Sequence, residues 1–321
     1  MNRYGPLWDA SVNGPVREAL GSLVPVVETL THLGDGAFLL VLGVLLYWFG
    51  ARDTRQERAF VIAVGVAVFA LSVGLKGIVQ LPRPELAFAP AGYPGYSFPS
   101  AHAMGSAGFY GALAASMTRG RPLWRYLAAG AVVAVVAVSR VVMGVHYVGD
   151  VFVGVLLGFG IVAFGIYYRD QWTFDPGPLF VAATATALLA GLLGSRVCLS
   201  FSLGAALGGA IGWYLVADRP TTSVGAAVLV LGAAGLVGIL VVRVATVWLG
   251  ITTLVNVHPA SALVAEVIAY AALTVFVLVV PWLAVRIETH PAVLSLQSAL
   301  PFRGRVVESG MQADGSEPGD D

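Results

Sequence analysis

The apolar residues of this chain gather into long runs and do not alternate with polar ones. Nine runs stand out, at about 34–50, 59–82, 101–118, 123–143, 149–168, 179–195, 197–217, 223–246 and 260–284. They approach or exceed the roughly 18–20 residues that a helix needs to cross a bilayer. The pattern predicts an all-α, polytopic transmembrane bundle. The ends of the chain differ. Pro15–Leu33 mixes apolar residues with Arg17, Glu18 and Glu28, so residues 1–30 are predicted to form a helical segment lying at the membrane surface. Residues 287–321 turn polar and close on "ADGSEPGDD", which predicts a solvated, disordered tail. The first 15 residues show no basic start followed by an apolar core, so no cleavable signal peptide is predicted.

Composition agrees with lipid as the solvent. Of 321 residues, 58% are hydrophobic and 11% charged, against about 25% charged in soluble domains. Mean hydropathy is +0.83. With 18 basic and 18 acidic residues the formal net charge is zero, so nothing points to a nucleic-acid partner. Cys198 is the single cysteine; it can form no intrachain disulfide, and its apolar run predicts a buried small hydrophobe. Gly204, Gly208 and Gly212, and likewise Gly154 and Gly158, recur every four residues. That spacing predicts close helix packing and no chemistry of its own.

Arginines orient the chain. Arg52, Arg55 and Arg58 follow the first run, Arg119, Arg121 and Arg125 the third, Arg169 the fifth, Arg219 the seventh, and Arg286, Arg303 and Arg305 the ninth. If each run crosses once, all fall on one side, cytoplasmic by the positive-inside rule. The 83–99 loop and the surroundings of His146 then face the extracytoplasmic side, and the tail is cytoplasmic.

That outer side gathers the polar residues that the bilayer would otherwise reject. Lys76 is the one lysine among 18 basic residues, deep in an apolar run. Arg83 lies seven positions on, nearly two helical turns, which predicts that both cations share a face before Pro82 and Pro84 end the helix. Pro99-Ser100 opens the third run with Ser100 as N-cap, a helix end suited to an anion, and His102 sits in its first turn. "SRVVMGVHYVGD" (139–150) supplies Arg140, His146 and Asp150. The four-residue spacing of His146 and Asp150 lets the carboxylate hold one ring nitrogen and leaves the other reactive. Two histidines and an aspartate could ligate a metal, but Lys76, Arg83 and Arg140 would repel a divalent cation and attract an anion. A tetrahedral phosphate fits the set, with cations on its oxygens, one histidine to attack and another to protonate the leaving group.

Lys76-x6-Arg83-Pro84, Pro99-Ser100-Ala101-His102 and Ser139-Arg140-x5-His146-x3-Asp150, in that order, resemble the three motifs of the type 2 phosphatidic acid phosphatase (PAP2) superfamily, which includes lipid phosphatases and vanadium haloperoxidases. The resemblance covers residues 31–195, matching that family's six-helix core, and leaves about three further transmembrane helices in 196–286 with no assigned role. Ala101 stands where the family usually has glycine; a small residue keeps the pocket, slightly narrowed. The resemblance implies that His146 is a nucleophile forming a phosphohistidine, that Asp150 orients it, and that His102 protonates the leaving group. It implies that Lys76, Arg83, Ser100 and Arg140 hold the phosphate, with no metal or other cofactor. The haloperoxidase branch is mainly soluble, which sets it apart from this chain. The implied substrate is a lipid phosphate: phosphatidate-like, phosphatidylglycerophosphate-like or a polyprenyl diphosphate. A phosphotransferase using the same histidine, or a non-catalytic membrane protein (a transporter or scaffold) keeping the phosphate site only for binding, are the alternatives. The first differs in its acceptor; the second has no need of His102, His146 and Asp150 together.

Overall fold

The computed structural model describes residues 5–300 apart from 51–53, 87, 91, 94, 118–119, 172–174, 223 and 249–258. Arg52, Arg119, Arg303 and Arg305, with the tail from 301 onward, lie outside the described residues. Among these residues the structure is helical, without a strand. Two short helices, α1 (Asn13–Leu20) and α2 (Val24–Leu30), are followed by a 3₁₀ turn (Thr31–Gly34). Nine longer helices come next: α3 (Gly36–Phe49), α4 (Arg55–Val79), α5 (Ala101–Ser116), α6 (Pro122–Val142), α7 (Val148–Gln171), α8 (Gly177–Leu192), α9 (Leu199–Val216), α10 (Gly225–Trp248) and α11 (Pro259–Leu283). A short α12 (Pro291–Ala299) closes the described chain. The nine match the nine apolar runs one for one.

Among the described residues, five segments are long and apolar enough to cross a membrane: Arg55–Val79, Pro122–Val142, Val148–Gln171, Leu199–Val216 and Ser261–Arg286. Ala10–Gly34 and Gly36–Phe49 pass the same test together, bent by 54° at their junction. The helices α5 and α8 have 16 residues each, short for a straight crossing. Phe152, Leu156 and Phe164 on α7, Leu188 and Leu189 on α8, and Leu236 and Val237 on α10 are exposed. Large apolar side chains turned outward on successive helices make a surface for lipid and not for water.

One core runs through the bundle. Phe60, Val64 and Val68 of α4, Met104 and Phe109 of α5 and Val162 of α7 pack in a single cluster with Phe180 of α8, Trp213 and Val216 of α9 and Leu278 of α11. Helices α9 and α11 therefore share the core of those before residue 195, while α10 and α12 pack with the end of α11 in a second cluster around Val228, Val280 and Val293. Tyr47 Oη and Trp48 Nε1 donate to the carbonyls of Leu278 (3.0 Å) and Val277 (2.8 Å), tying α3 to α11. The glycine rows serve packing. A Cβ added at Gly204 would lie 2.6 Å from Val267 O, and one at Gly212 would lie 3.0 Å from Val275 Cα, both on α11. A Cβ at Gly154 would lie 2.9 Å from Ser100 O, so any larger residue there would push α7 off the start of α5.

Four expectations need correction. The helix carrying Lys76 stops at Val79, where Gln80 turns left-handed at φ 51°. Arg83 thus shares no helical face with Lys76; the following loop brings it back. Cys198 is exposed, not buried, with φ 47° just before α9. Part of the polar tail is folded: His290 caps α12, and Gln297 Oε1 accepts from the Ala226 amide at 2.8 Å. The N-terminal segment is helical but broken into short turns, and it packs against α6 and α7. Its residues enter the site, as described next.

Candidate active site

The C-terminal ends of α4 and α6 and the N-terminal ends of α5 and α7 meet at one end of the bundle. The Ser100 amide donates to Asp150 O at 3.0 Å, which joins the start of α5 to the start of α7. Lys76 reaches the 81–100 loop from α4, its Nζ donating to Tyr96 O (2.7 Å) and Ser97 O (3.1 Å). The Ser97 amide donates to Leu81 O at 2.8 Å, closing that loop on itself. At the opposite end, Arg55 donates to Arg219 O and Ala217 O (2.7 and 2.6 Å). Arg219 and Arg286 both stack on Trp282. Arg55, Arg219 and Arg286 thus gather at the bundle end away from Lys76.

His146 lies in the turn between α6 and α7, which Gly144 makes possible at φ 69°. Its side chain is buried, 2% exposed, and Asp150 in the first turn of α7 is fully buried. His146 Nδ1 is 3.3 Å from Asp150 Oδ2, and Arg83 Nη1 is 3.1 Å from His146 Nε2. A carboxylate only accepts and a guanidinium only donates. These partners assign the proton to Nδ1 and leave the lone pair on Nε2. Burial, reinforced by the charges of Arg83, Lys76 and Arg140, holds His146 well below the ordinary histidine range, so the ring is neutral and Nε2 nucleophilic.

Asp150 is held on every side. Trp8 Nε1 donates to Oδ1 at 3.0 Å, the Tyr147 amide donates to Oδ2 at 3.0 Å, and the Ser97 hydroxyl donates to Oδ2 as well. The N-terminal segment also braces the turn. Asn13, fully buried, donates from Nδ2 to Val141 O (2.8 Å) and His146 O (3.0 Å). Arg17 Nη1 donates to Val142 O at 3.0 Å and pairs with Glu28 at 2.7 Å.

Arg83 and Arg140 flank Tyr93, with guanidinium carbons 4.7 and 5.5 Å from its ring centre. Arg83 also donates to Val145 O (2.6 Å) and Gly95 O (3.1 Å). Arg140, 1% exposed, donates to Thr31 Oγ1 (2.9 Å) and to the Tyr93 hydroxyl (2.7 Å). Its Nε has no protein partner among the described residues. The side-chain hydrogen bonds of Lys76 and Arg140 go to backbone carbonyls, hydroxyls and a thioether, neutral acceptors that leave positive charge for an anion to meet. Ser100 is buried as the N-cap of α5, its Oγ accepting from the Ala103 amide. His102, one residue into the helix, has its Nε2 2.6 Å from Asp35 Oδ1.

The structure therefore brings Lys76, Arg83, Ser100, His102, Arg140, His146 and Asp150 to one bundle end, as the three motifs predict. Trp8, Asn13, Thr31, Asp35, Tyr93 and Ser97 were not predicted to join them. Asp35 and Ser97 carried a faint signal, an acid and a hydroxyl beside segments already singled out. Trp8 and Asn13 carried none, because nothing local ties residue 8 to residue 150. Among the described residues, no cluster of three or more His, Cys, Asp or Glu side chains is placed to hold a metal ion.

Comparison with known proteins leads to the same place. The PAP2 superfamily model matches residues 56–175, which contain all seven predicted site residues. The chain is 34% identical over 142 residues to phosphatidylglycerophosphatase B of Bacillus subtilis, covering 41% of this chain and 68% of that one. It is 27% identical to lipid A 1-phosphatase of Rhizobium etli, covering 54% and 82%. It is 30% identical to decaprenylphosphoryl-5-phosphoribose phosphatase of Mycobacterium tuberculosis, covering 49% and 89%. A solved structure of a transmembrane PAP2-type phosphatidylglycerolphosphate phosphatase from Bacillus subtilis is 30% identical, with a TM-score of 0.43 over 50% of this chain and 85% of that one. On the three ordered motifs, their convergence at one bundle end and the sequence similarity, the chain belongs to the PAP2 superfamily and is a phosphatase of that type.

Proposed function

We propose that this protein hydrolyses a phosphate ester or diphosphate on a lipid through a phosphohistidine at His146. One observation carries the reading: the neutral, buried His146, its Nε2 3.1 Å from Arg83 Nη1, at the bundle end that also holds Lys76, Arg140 and a second histidine at a neighbouring helix start. In the first step Nε2 attacks phosphorus, and the bond to the leaving oxygen breaks as His102 gives that oxygen a proton. Asp150 steadies the imidazolium that forms. In the second step water attacks phosphorus, the P–N bond breaks, and the water proton returns to His102. The cations and the first amides of α5 face the charge that grows on the phosphoryl oxygens.

A lipid substrate is supported by the site's position at the end of helices with apolar outer faces, and by the three relatives, each named for a phosphate on a lipid or prenyl anchor. A panel of phosphatidate, phosphatidylglycerophosphate and a polyprenyl diphosphate in detergent micelles tests this. Inorganic phosphate should be released from at least one of them, persist in excess EDTA, and be inhibited by vanadate. Loss in EDTA with rescue by magnesium or zinc would make His102, His146 and Asp150 metal ligands instead. Recovery of the phosphoryl group on a lipid acceptor in place of inorganic phosphate would make the enzyme a transferase.

An extracytoplasmic site and a cytoplasmic C-terminal tail are supported by Arg55, Arg219 and Arg286 at the opposite bundle end. Pro90 is an exposed position of the 81–100 loop. In a Cys198→Ala background, Pro90→Cys should react with an impermeant thiol reagent in intact cells. Labelling only after lysis would reverse the orientation.

A further inference from the structure

Asp35 stands immediately before the apolar helix α3, where an acidic residue ordinarily caps the first amides. Here it makes no such bond. Its Oδ1 lies 2.6 Å from His102 Nε2, and its Oδ2 lies 2.6 Å from His32 Nδ1. His32 is 71% exposed, Asp35 37% and His102 20%, so the three side chains step from the surface into the site. The arrangement is built from several directions. Tyr110 Oη donates to Leu33 O at 2.9 Å, fixing the turn before Asp35 on α5. Gly34 lets that turn close on the same helix: a Cβ there would lie 3.2 Å from His102 O and 3.3 Å from His102 Cβ. Thr31, from the same turn, accepts from Arg140, so one strap serves both the second histidine and a phosphate-facing arginine.

A carboxylate can only accept, so the short contact requires His102 to donate its Nε2 proton to Asp35. The atom left for a leaving group is then Nδ1. A neutral His102 in this tautomer has no proton to give there; it becomes an acid only as imidazolium, the form a facing carboxylate stabilises. Arg140 and Lys76 stand at the same bundle end, and their like charge opposes an imidazolium, which makes an acidic partner necessary.

We infer that Asp35 is a positioning residue for His102: it selects the tautomer that presents Nδ1 to the leaving oxygen and supports the charged ring that protonates it. His32 holds the outer carboxylate oxygen. The inference rests on reading His102 as the general acid, and the proton balance is the one given above.

The test compares substrates that need the acid with one that does not. Phosphatidate expels a basic alkoxide; p-nitrophenyl phosphate expels a phenolate that leaves unaided. Since kcat/KM reports the steps through departure of the leaving group, Asp35→Asn should lower it on the order of 10–100-fold for phosphatidate. For p-nitrophenyl phosphate it should change by less than about threefold on the same grounds. Asp35→Asn combined with His102→Ala should be no slower on phosphatidate than His102→Ala alone. If thermal unfolding shows that Asp35→Asn does not fold, Asp35→Glu takes its place, with the same selective loss expected from a displaced carboxylate. Equal loss on both substrates by a folded Asp35 variant, or no loss on either, overturns the inference provided His102→Ala is leaving-group selective. If His102→Ala is itself not selective, the assignment of the acid fails, and the role of Asp35 with it.

Discussion

Replacement of His146 by alanine should abolish phosphate release while the bundle stays folded. Loss of a nucleophile commonly costs on the order of 10⁴-fold or more in turnover, because no nearby group can form the same covalent intermediate. The fold should survive because the ring's partners have others. Arg83 keeps Val145 O and Gly95 O, and Asp150 keeps Trp8, Ser97 and the Tyr147 amide. The backbone carbonyl of residue 146 still accepts from Asn13. Purified His146→Ala protein should therefore match the parent in thermal unfolding and show no turnover on any substrate of the panel. Near-parental phosphate release would exclude His146 as the nucleophile.

The second large effect concerns the arginines. Arg83→Lys and Arg140→Lys each keep the charge, yet both should lose activity on the order of 10²–10³-fold, the usual loss when a preorganised transition-state donor is removed. A guanidinium offers a planar fork, whereas an ammonium is a point charge. Arg83 uses its fork on His146 Nε2, Val145 O and Gly95 O, and Arg140 reaches Thr31 and Tyr93 from different nitrogens. One lysine nitrogen cannot hold those positions and also face two phosphate oxygens. If the contact belongs to the transition state, kcat and kcat/KM should fall together; a change confined to KM would assign the arginine to ground-state binding. Steady-state kinetics on the best substrate of the panel makes the distinction.

What could be read from the sequence follows a physical divide. The nine helices were legible because apolar runs in lipid leave a helix as the one way to pair every backbone amide locally. The seven motif residues were legible because charge beside hydrocarbon is costly and so marks use. Helix phase does not account for Arg83: α4 stops at Val79, Gln80 breaks it, and the following loop brings Arg83 to the bundle end that holds Lys76. The residues that hold the site were not legible. Trp8 and Asp150 are 142 positions apart, and Asp35 and His102 are 67 apart. No local pattern encodes such pairs. Asp35 merely precedes an apolar run and Asn13 merely precedes the Pro15–Leu33 segment, so neither position hints at a distant partner. The exposure of Cys198 is not legible in the sequence because composition averages over a run, while exposure at the α8–α9 turn is set by the backbone there.

The central claim is that phosphate passes through His146 covalently. The most direct measurement is to mix the protein with a substrate carrying ³²P in its phosphoryl group, quench in alkali, where a phosphoramidate bond survives, and map the labelled peptide. The account predicts label on the peptide containing His146, absent from His146→Ala protein and chased away by unlabelled substrate. Turnover with no protein-bound label under this quench, or label on any residue other than His146, would contradict it.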